Sequence, residues 1–267
     1  MAEPLYKVRD LRLTLADMAR KPLFGPAPRL EILKGLSFDI GRGEVIGIVG
    51  GSGSGKSTLG RALIRLLEPS SGTILFDGTD ITTLPENSLR PLRRKFQMIF
   101  QDPMSSLNPR HTVGQIIAAP LRLHGFKDPR AKAAEALDHV GLPTVFLGRF
   151  PHELSGGQRQ RVGIARAIAL RPEFILADEI VSGLDVSSQA QVLSLLEELV
   201  RDLGLTLAFI SHDLSVVRRL CGRIMVLNRG EIEEFGSAEH IFSAPQSAYT
   251  RELLDAIPLP DPDQPWF

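Results

Sequence analysis

Cysteine is nearly absent: Cys221 is the one thiol in 267 residues. No intrachain disulfide can form, and a cysteine-built metal cluster is excluded. Cys221 reads as a small apolar residue near a helix end, and the composition suits a reducing compartment. Neither sign of charge is in excess, since 31 Lys and Arg balance 31 Asp and Glu. A purely electrostatic nucleic-acid binder needs a basic surplus, so no nucleic-acid partner is expected. The short basic run Arg90 to Lys95 reads as a solvated face. No run approaches the roughly eighteen apolar residues of a membrane span. The opening MAEPLYK lacks the basic and apolar blocks of a secretory signal. The expectation is a protein that stays where it is made and reaches a membrane only through a partner.

What is present is a rhythm of short apolar runs and helical patterns, which predicts an α/β fold with a parallel sheet wrapped by helices. Val45–Val49, Phe174–Ala177, Leu207–Ile210 and Ile224–Leu227 are nearly all apolar, as strands covered on both faces are. Phe96–Phe100 is more mixed and is expected nearer a surface. Leu59, Leu63, Leu66 and Leu67 fall on one predicted helix face after Lys56. Val192, Leu195, Leu196, Leu199 and Leu203 fall on another, with Gly204 as its C-terminal cap and Ser187 or Asp185 at its start. The front of the chain, around 39–44 and 73–78, carries turn-separated strands of antiparallel type. Residues 102–171 are Ala- and Arg-rich without a convincing strand and read as an inserted helical subdomain. The Pro-rich tail PLPDPDQPWF reads as poorly ordered.

GGSGSGKST, residues 50–58, fits the phosphate-loop pattern G-x-x-x-x-G-K-[ST] between a strand and a helix. In such a loop successive backbone N–H groups point at phosphate oxygens, and glycines permit the close approach. The expected nucleotide contacts are Gly50, Gly51, Ser52, Gly53, Ser54, Gly55, Lys56, Ser57 and Thr58. Lys56 is expected on the outer phosphates and Ser57 on Mg²⁺. Asp178 and Glu179 end a second apolar strand; Asp178 fits a Mg²⁺ role and Glu179 is free to polarise an attacking water. A second glycine-rich helix start follows at LSGGQ, residues 154–158, where Ser155 is a good N-cap and exposed N–H groups suit an anion.

LSGGQ followed by RQRVGIARA resembles the signature of ATP-binding-cassette (ABC) ATPases. Gln101 is placed as that family's Q-loop glutamine, which joins Ser57 and Asp178 as a metal-site candidate. Ser182-Gly183-Leu184-Asp185 is similar to the D-loop, and His212 in FISHD to the switch histidine. The resemblance runs from about Leu5 to about Pro260. It implies an ABC-type P-loop ATPase with a RecA-like, mostly parallel sheet core, an antiparallel β subdomain and an inserted helical subdomain. It implies a nucleotide-binding domain over 1–235 and a C-terminal extension over 236–267. In that family two cassettes face each other head to tail. Ser155, Gly156, Gly157, Gln158 and Asp185 would then contact the ATP of the opposite subunit, with Glu179 and His212 catalytic. ATP and Mg²⁺ are the implied cofactors.

FQDPMSSLNPR (100–110), TVGQIIAAPLRLHG (112–125) and APQSAYTRELLDAIP (244–258) resemble ATPase subunits of the oligopeptide/dipeptide importers. That branch implies two permease subunits, a sister ATPase or a second copy, indirectly a solute-binding protein, and a peripheral position on the cytoplasmic face of the inner membrane. Peptides are the leading cargo, with nickel, glutathione and opine-like solutes open. The chain departs from the pattern at Ser247-Ala248, where the group has His-Pro, and at Ile180, where proline follows the acidic pair. The residue that stacks on adenine is not identified: Leu15 stands at the position after the first strand, and Tyr6 and Phe24, the aromatics that could substitute, read as packing. A translation or DNA-repair ABC ATPase is disfavoured by the single cassette. A GTPase is disfavoured by the lack of an Asn-Lys-x-Asp motif.

Overall fold

The computed structural model describes residues 3–17, 20–22 and 25–256. The chain opens with β1 (Tyr6–Ala16) and β2 (Arg29–Ile40), then β3 (Val45–Val49) and α1 (Lys56–Leu63). Next come β4 (Ser71–Phe76), β5 (Thr79–Asp80), the single turn α2 (Glu86–Leu89) and β6 (Phe96–Ile99). The helices α3 (Pro103–Ser106), α4 (Val113–Leu123), α5 (Pro129–His139) and α6 (Gly156–Ile168) follow without an intervening strand. Then β7 (Phe174–Asp178), α7 (Val186–Leu203), β8 (Thr206–Ile210), α8 (Leu214–Leu220) and β9 (Arg223–Asn228) alternate. The described chain ends with β10 (Glu231–Ser237), α9 (Ala238–Ser243) and α10 (Ala248–Asp255).

Two sheets form. One is antiparallel, in the order β2-β1-β4-β5, and the other runs β10-β9-β3-β8-β7-β6. In the second, β9, β3, β8, β7 and β6 are parallel and β10 pairs antiparallel at the edge. Its side chains alternate between two cores. Ile175, Ala177, Leu207, Phe209, Ile224 and Val226 face the helical insert and α6 to α8. Phe174, Leu176, Ala208, Ile210, Met225 and Leu227 face α1 and the antiparallel sheet. Burial on both faces is why these strands carry almost no polar residue. The parallel strands end together on one side, where ligands bind in such sheets.

Several sequence expectations need correction. The helix after Lys56 is shorter than its leucine pattern: Leu59 and Leu63 are fully buried, but Leu66 is 51% exposed beyond the helix end. Arg65 turns the chain with φ 54° and sends its guanidinium to the Ile81 carbonyl at 2.7 Å. β6 lies at the sheet edge, in line with its mixed composition, with Phe96, Met98 and Ile99 buried, Gln97 half-buried and Phe100 exposed. The run 90–95 is not merely solvated. Arg93 grips Glu86 at 2.6 Å, and Lys95 reaches Asp77 and Glu173, both at 2.9 Å. Asp185, not Ser187, caps α7, and Gly204 closes it at φ 62°. Cys221 stands buried at the end of α8, and burial holds its thiol protonated. The tail from 257 lies outside the described residues.

Candidate nucleotide site

The loop between β3 and α1 is built on a close backbone approach. Gly50 has φ 146°, and a Cβ placed there would lie 2.1 Å from the Leu227 carbonyl oxygen. Only glycine fits. From this anchor the chain circles to Gly55 (φ 106°) and enters α1 at Lys56. Lys56 is 8% exposed, and its ammonium donates to the carbonyls of Gly50 at 2.8 Å and Gly51 at 2.9 Å. Burial lowers its pKa, opposed by the charges of Glu179 and Asp178. The Gly230 N–H also binds the loop, on the Ser54 carbonyl at 3.0 Å.

The acidic pair sits opposite. Asp178, 3% exposed at the end of β7, accepts a 2.8 Å hydrogen bond from the Ser57 hydroxyl. Burial raises its pKa against the pull of that bond, and Arg61 stands 3.7 Å from its second oxygen. Glu179 adopts φ 50°, unusual for a residue other than glycine, and its N–H binds the Ile210 carbonyl at 2.9 Å. That conformation costs on the order of 1–3 kcal/mol. Ile180, 1% exposed, and Val181, 5% exposed, plug the core directly behind it. The buried Ile180 thus anchors the turn where the importer pattern has proline. The turn aims the Glu179 carboxylate out of the sheet. Gln101 donates to it at 3.1 Å, and His212 Nδ1 stands 3.7 Å away. Ser52, Gly53, Gly55, Lys56, Ser57, Thr58, Glu179 and His212 line one cleft of about 490 Å³, so residues far apart in sequence converge.

Ser155 to Gln158 do not line that cleft. They start α6, where Ser155 and Gln158 cap each other reciprocally, at 3.3 Å and 3.0 Å. A Cβ on Gly157 would meet Ser188 of α7 at 3.5 Å, and one on Gly156 would meet Leu184 at 4.0 Å. The LSGGQ helix start therefore abuts the segment carrying Asp185. That carboxylate accepts from the Ser188 N–H at 2.9 Å and hydroxyl at 2.7 Å. These residues form a second polar surface, apart from the chain's own phosphate loop.

Two contributors escaped the sequence reading. Ile32 of β2 lines the cleft from the antiparallel sheet, a contact no local pattern announces. Tyr249 of α10 accepts a 2.9 Å hydrogen bond from the Gly51 N–H. Of the adenine candidates, Tyr6 is fully buried against Phe76 and Phe174 and reaches no ligand. Leu15 is 38% exposed on β1, and Phe24 lies outside the described residues.

Comparison with known proteins agrees with the geometry. The ABC transporter family pattern matches residues 33–182. A Brucella ovis protein named for peptide import ATP binding is 54% identical over 237 residues, 88% of this chain and 75% of its own length. The glutathione import ATP-binding protein GsiA of Escherichia coli is 47% identical over 98% of this chain, which spans 42% of that protein. Among solved structures, the dimeric cassette MJ0796 bound to ADP and Pi superposes with TM-score 0.76 at 31% identity, covering 87% of this chain and 98% of its own. The cbiO1 cassette from Clostridium perfringens gives TM-score 0.78 at 28% identity, covering 96% of this chain and 97% of its own. A phosphate loop, a carboxylate-tipped strand and a glycine-started signature helix on a two-sheet scaffold, with these relatives, place the chain in the ABC transporter family as an ATPase cassette.

Proposed function

We propose that this cassette powers a membrane importer of peptides by hydrolysing ATP between two facing cassettes. The observation that carries the reading is the separation of two anion-suited surfaces: the Lys56 cleft and the Ser155–Gln158 helix start, which does not line it. Each surface supplies what the other lacks, so two chains arranged head to tail complete two sites. Ser155, Gly156, Gly157, Gln158 and Asp185 are the residues assigned to the opposite subunit's nucleotide. The dimeric state named for the MJ0796 structures supports that arrangement.

Within one site the chain's own groups divide the work. Backbone N–H groups of the phosphate loop within residues 50–58 and the Lys56 ammonium bind phosphate oxygens. The Ser57 hydroxyl and Asp178 carboxylate, 2.8 Å apart, are hard oxygen donors that fit Mg²⁺. No cluster of three or more acidic, His or Cys ligands occurs among the described residues, as suits a cation shared with phosphates. Mg²⁺ bound there would neutralise charge on the phosphates. Gln101, beside Glu179, completes the polar wall. Glu179 orients or deprotonates the water in line with the γ-phosphate. His212, 63% exposed at its side chain, holds that geometry from the far side. Most of the rate enhancement is then positioning and electrostatics.

Membrane coupling has its own surface. Phe100, Ile116, Ala119, Pro120 and Met98 line a groove of about 370 Å³ between β6 and the helical insert. Met104, 54% exposed, and Leu123, 59% exposed, are further large apolar side chains on the surface of the same insert. This groove follows directly on Gln101, so movement at Glu179 has a short path to a permease seated there. No helix among the described residues is long and apolar enough to cross a membrane, in keeping with a peripheral subunit on the inner-membrane cytoplasmic face. Peptide cargo rests on the Brucella relatives. Glutathione, itself a small peptide, falls in the same class. To the same reading belongs an assignment of residues 1–235 to the nucleotide-binding domain, with the helical insert at about 102–171, and of residues 236–267 to a C-terminal extension. The test is Glu179→Gln. Turnover should fall about 10²–10⁴-fold with ATP binding retained; hydrolysis at the wild-type rate would remove Glu179 from the role.

A further inference from the structure

The segment beyond β10 is bound firmly to the body. Glu234 accepts N–H bonds from Gln246 at 3.0 Å and Ser247 at 3.1 Å. Burial pushes its pKa up, yet these bonds outweigh that and hold it below the usual carboxylate range. The Ser247 hydroxyl caps the start of α10 and reaches Glu233 at 3.3 Å. This docking fixes Tyr249, whose hydroxyl accepts from the Gly51 N–H at 2.9 Å across 198 positions of sequence. A Cβ on Gly51 would crowd that hydroxyl at 3.1 Å.

One peptide plane carries both the Gly51 N–H and the Gly50 carbonyl. The carbonyl end receives the Lys56 ammonium at 2.8 Å, and the N–H end receives Tyr249. Two adjacent glycines leave such a plane free to rotate. A rotation would withdraw the Gly50 carbonyl from Lys56 and the N–H from Tyr249 together. We infer that Tyr249 is a positioning residue for the phosphate loop: it pins the Gly50–Gly51 plane that seats Lys56, so the α9–α10 segment sets the cassette's nucleotide affinity. The inference rests on the nucleotide-binding reading of the loop. It also gives the extension a task within the ATP site rather than at the membrane.

The test uses the full chain, with MgATP affinity by titration calorimetry and steady-state hydrolysis. Tyr249→Phe removes one oxygen and keeps the ring. Loss of one hydrogen bond should weaken MgATP binding and raise KM about 2- to 10-fold, with kcat at saturation within about twofold. A merely packing role would lower thermal stability and leave KM alone. Glu234→Ala, which frees the start of α10, should raise KM similarly in the Tyr249 background and add nothing in the Tyr249→Phe background. Unchanged affinity in Tyr249→Phe, or full additivity of the two changes, overturns the inference while the nucleotide site stands. A wild-type chain that binds no MgATP sinks both.

Discussion

Replacing Gly50 by alanine puts the geometry of the phosphate loop to a quantitative test. The added methyl would lie 2.1 Å from the Leu227 carbonyl oxygen and 2.8 Å from Ser54 Oγ. Leu227 belongs to β9, paired on both sides, so the strand cannot yield. The loop must move by about an ångström to restore van der Waals distance. Overpacking of this kind costs about 1–3 kcal/mol, and a non-glycine residue at φ 146° costs on the order of 1–3 kcal/mol more. The displaced peptide is also the one that receives Lys56, so the cost falls on the nucleotide site. MgATP affinity should fall by at least about 30-fold, the equivalent of about 2 kcal/mol. The assay is calorimetric titration with MgATP, with Gly43→Ala as control. Gly43 also has positive φ, 69°, but a Cβ there meets nothing within 4 Å. That control should lose some stability and no affinity. Wild-type affinity in Gly50→Ala would refute the claim that close approach to β9 shapes the cradle.

Asp178→Asn separates folding from function. Burial holds the Asp178 carboxyl above its ordinary pKa, so between the unfolded and folded values the native state binds more protons. The group therefore removes stability as pH rises through that window, and the loss is complete above the folded value. At pH 8 without Mg²⁺ the Asn variant should melt no lower than wild type, while Mg²⁺-dependent hydrolysis falls at least about tenfold; a lower melting temperature would contradict the burial argument. Ser155→Asp distinguishes capping from nucleotide contact. Aspartate caps α6 as well as serine, so stability should stay within about 0.5 kcal/mol, but its charge would repel a phosphate and ATP-driven pairing should disappear. Pairing unchanged by Ser155→Asp would dismiss the signature helix start as a phosphate contact.

The parallel core was legible because burial on both faces makes a strand almost wholly apolar, as in Phe174–Ala177 and Leu207–Ile210, all buried. The helical insert was legible through the lack of such runs. The tight loop between β3 and α1 was legible because glycines at fixed offsets have few other uses. Leu66 misled because a leucine at helical spacing carries no information about Arg65, whose left-handed turn ends the helix before it. The mixed run Phe96 to Phe100 was legible as nearer a surface because it forms an edge strand, which lacks a partner on one side while its faces stay covered. Tyr6 reads as packing in the sequence and is packed in the structure: its ring is fully buried, and its hydroxyl donates to the Leu63 carbonyl at 3.3 Å. Tyr249 and Ile32 reach the site by tertiary contact alone, and one-dimensional spacing carries no trace of that.

The most direct measurement is sedimentation of the Glu179→Gln chain, alone and mixed with a candidate sister cassette, with and without saturating MgATP. The account predicts that MgATP shifts at least one of these samples from single subunits to pairs, and that pairs dissolve when nucleotide is removed. Saturated binding of MgATP with single subunits throughout, in both samples, would contradict it.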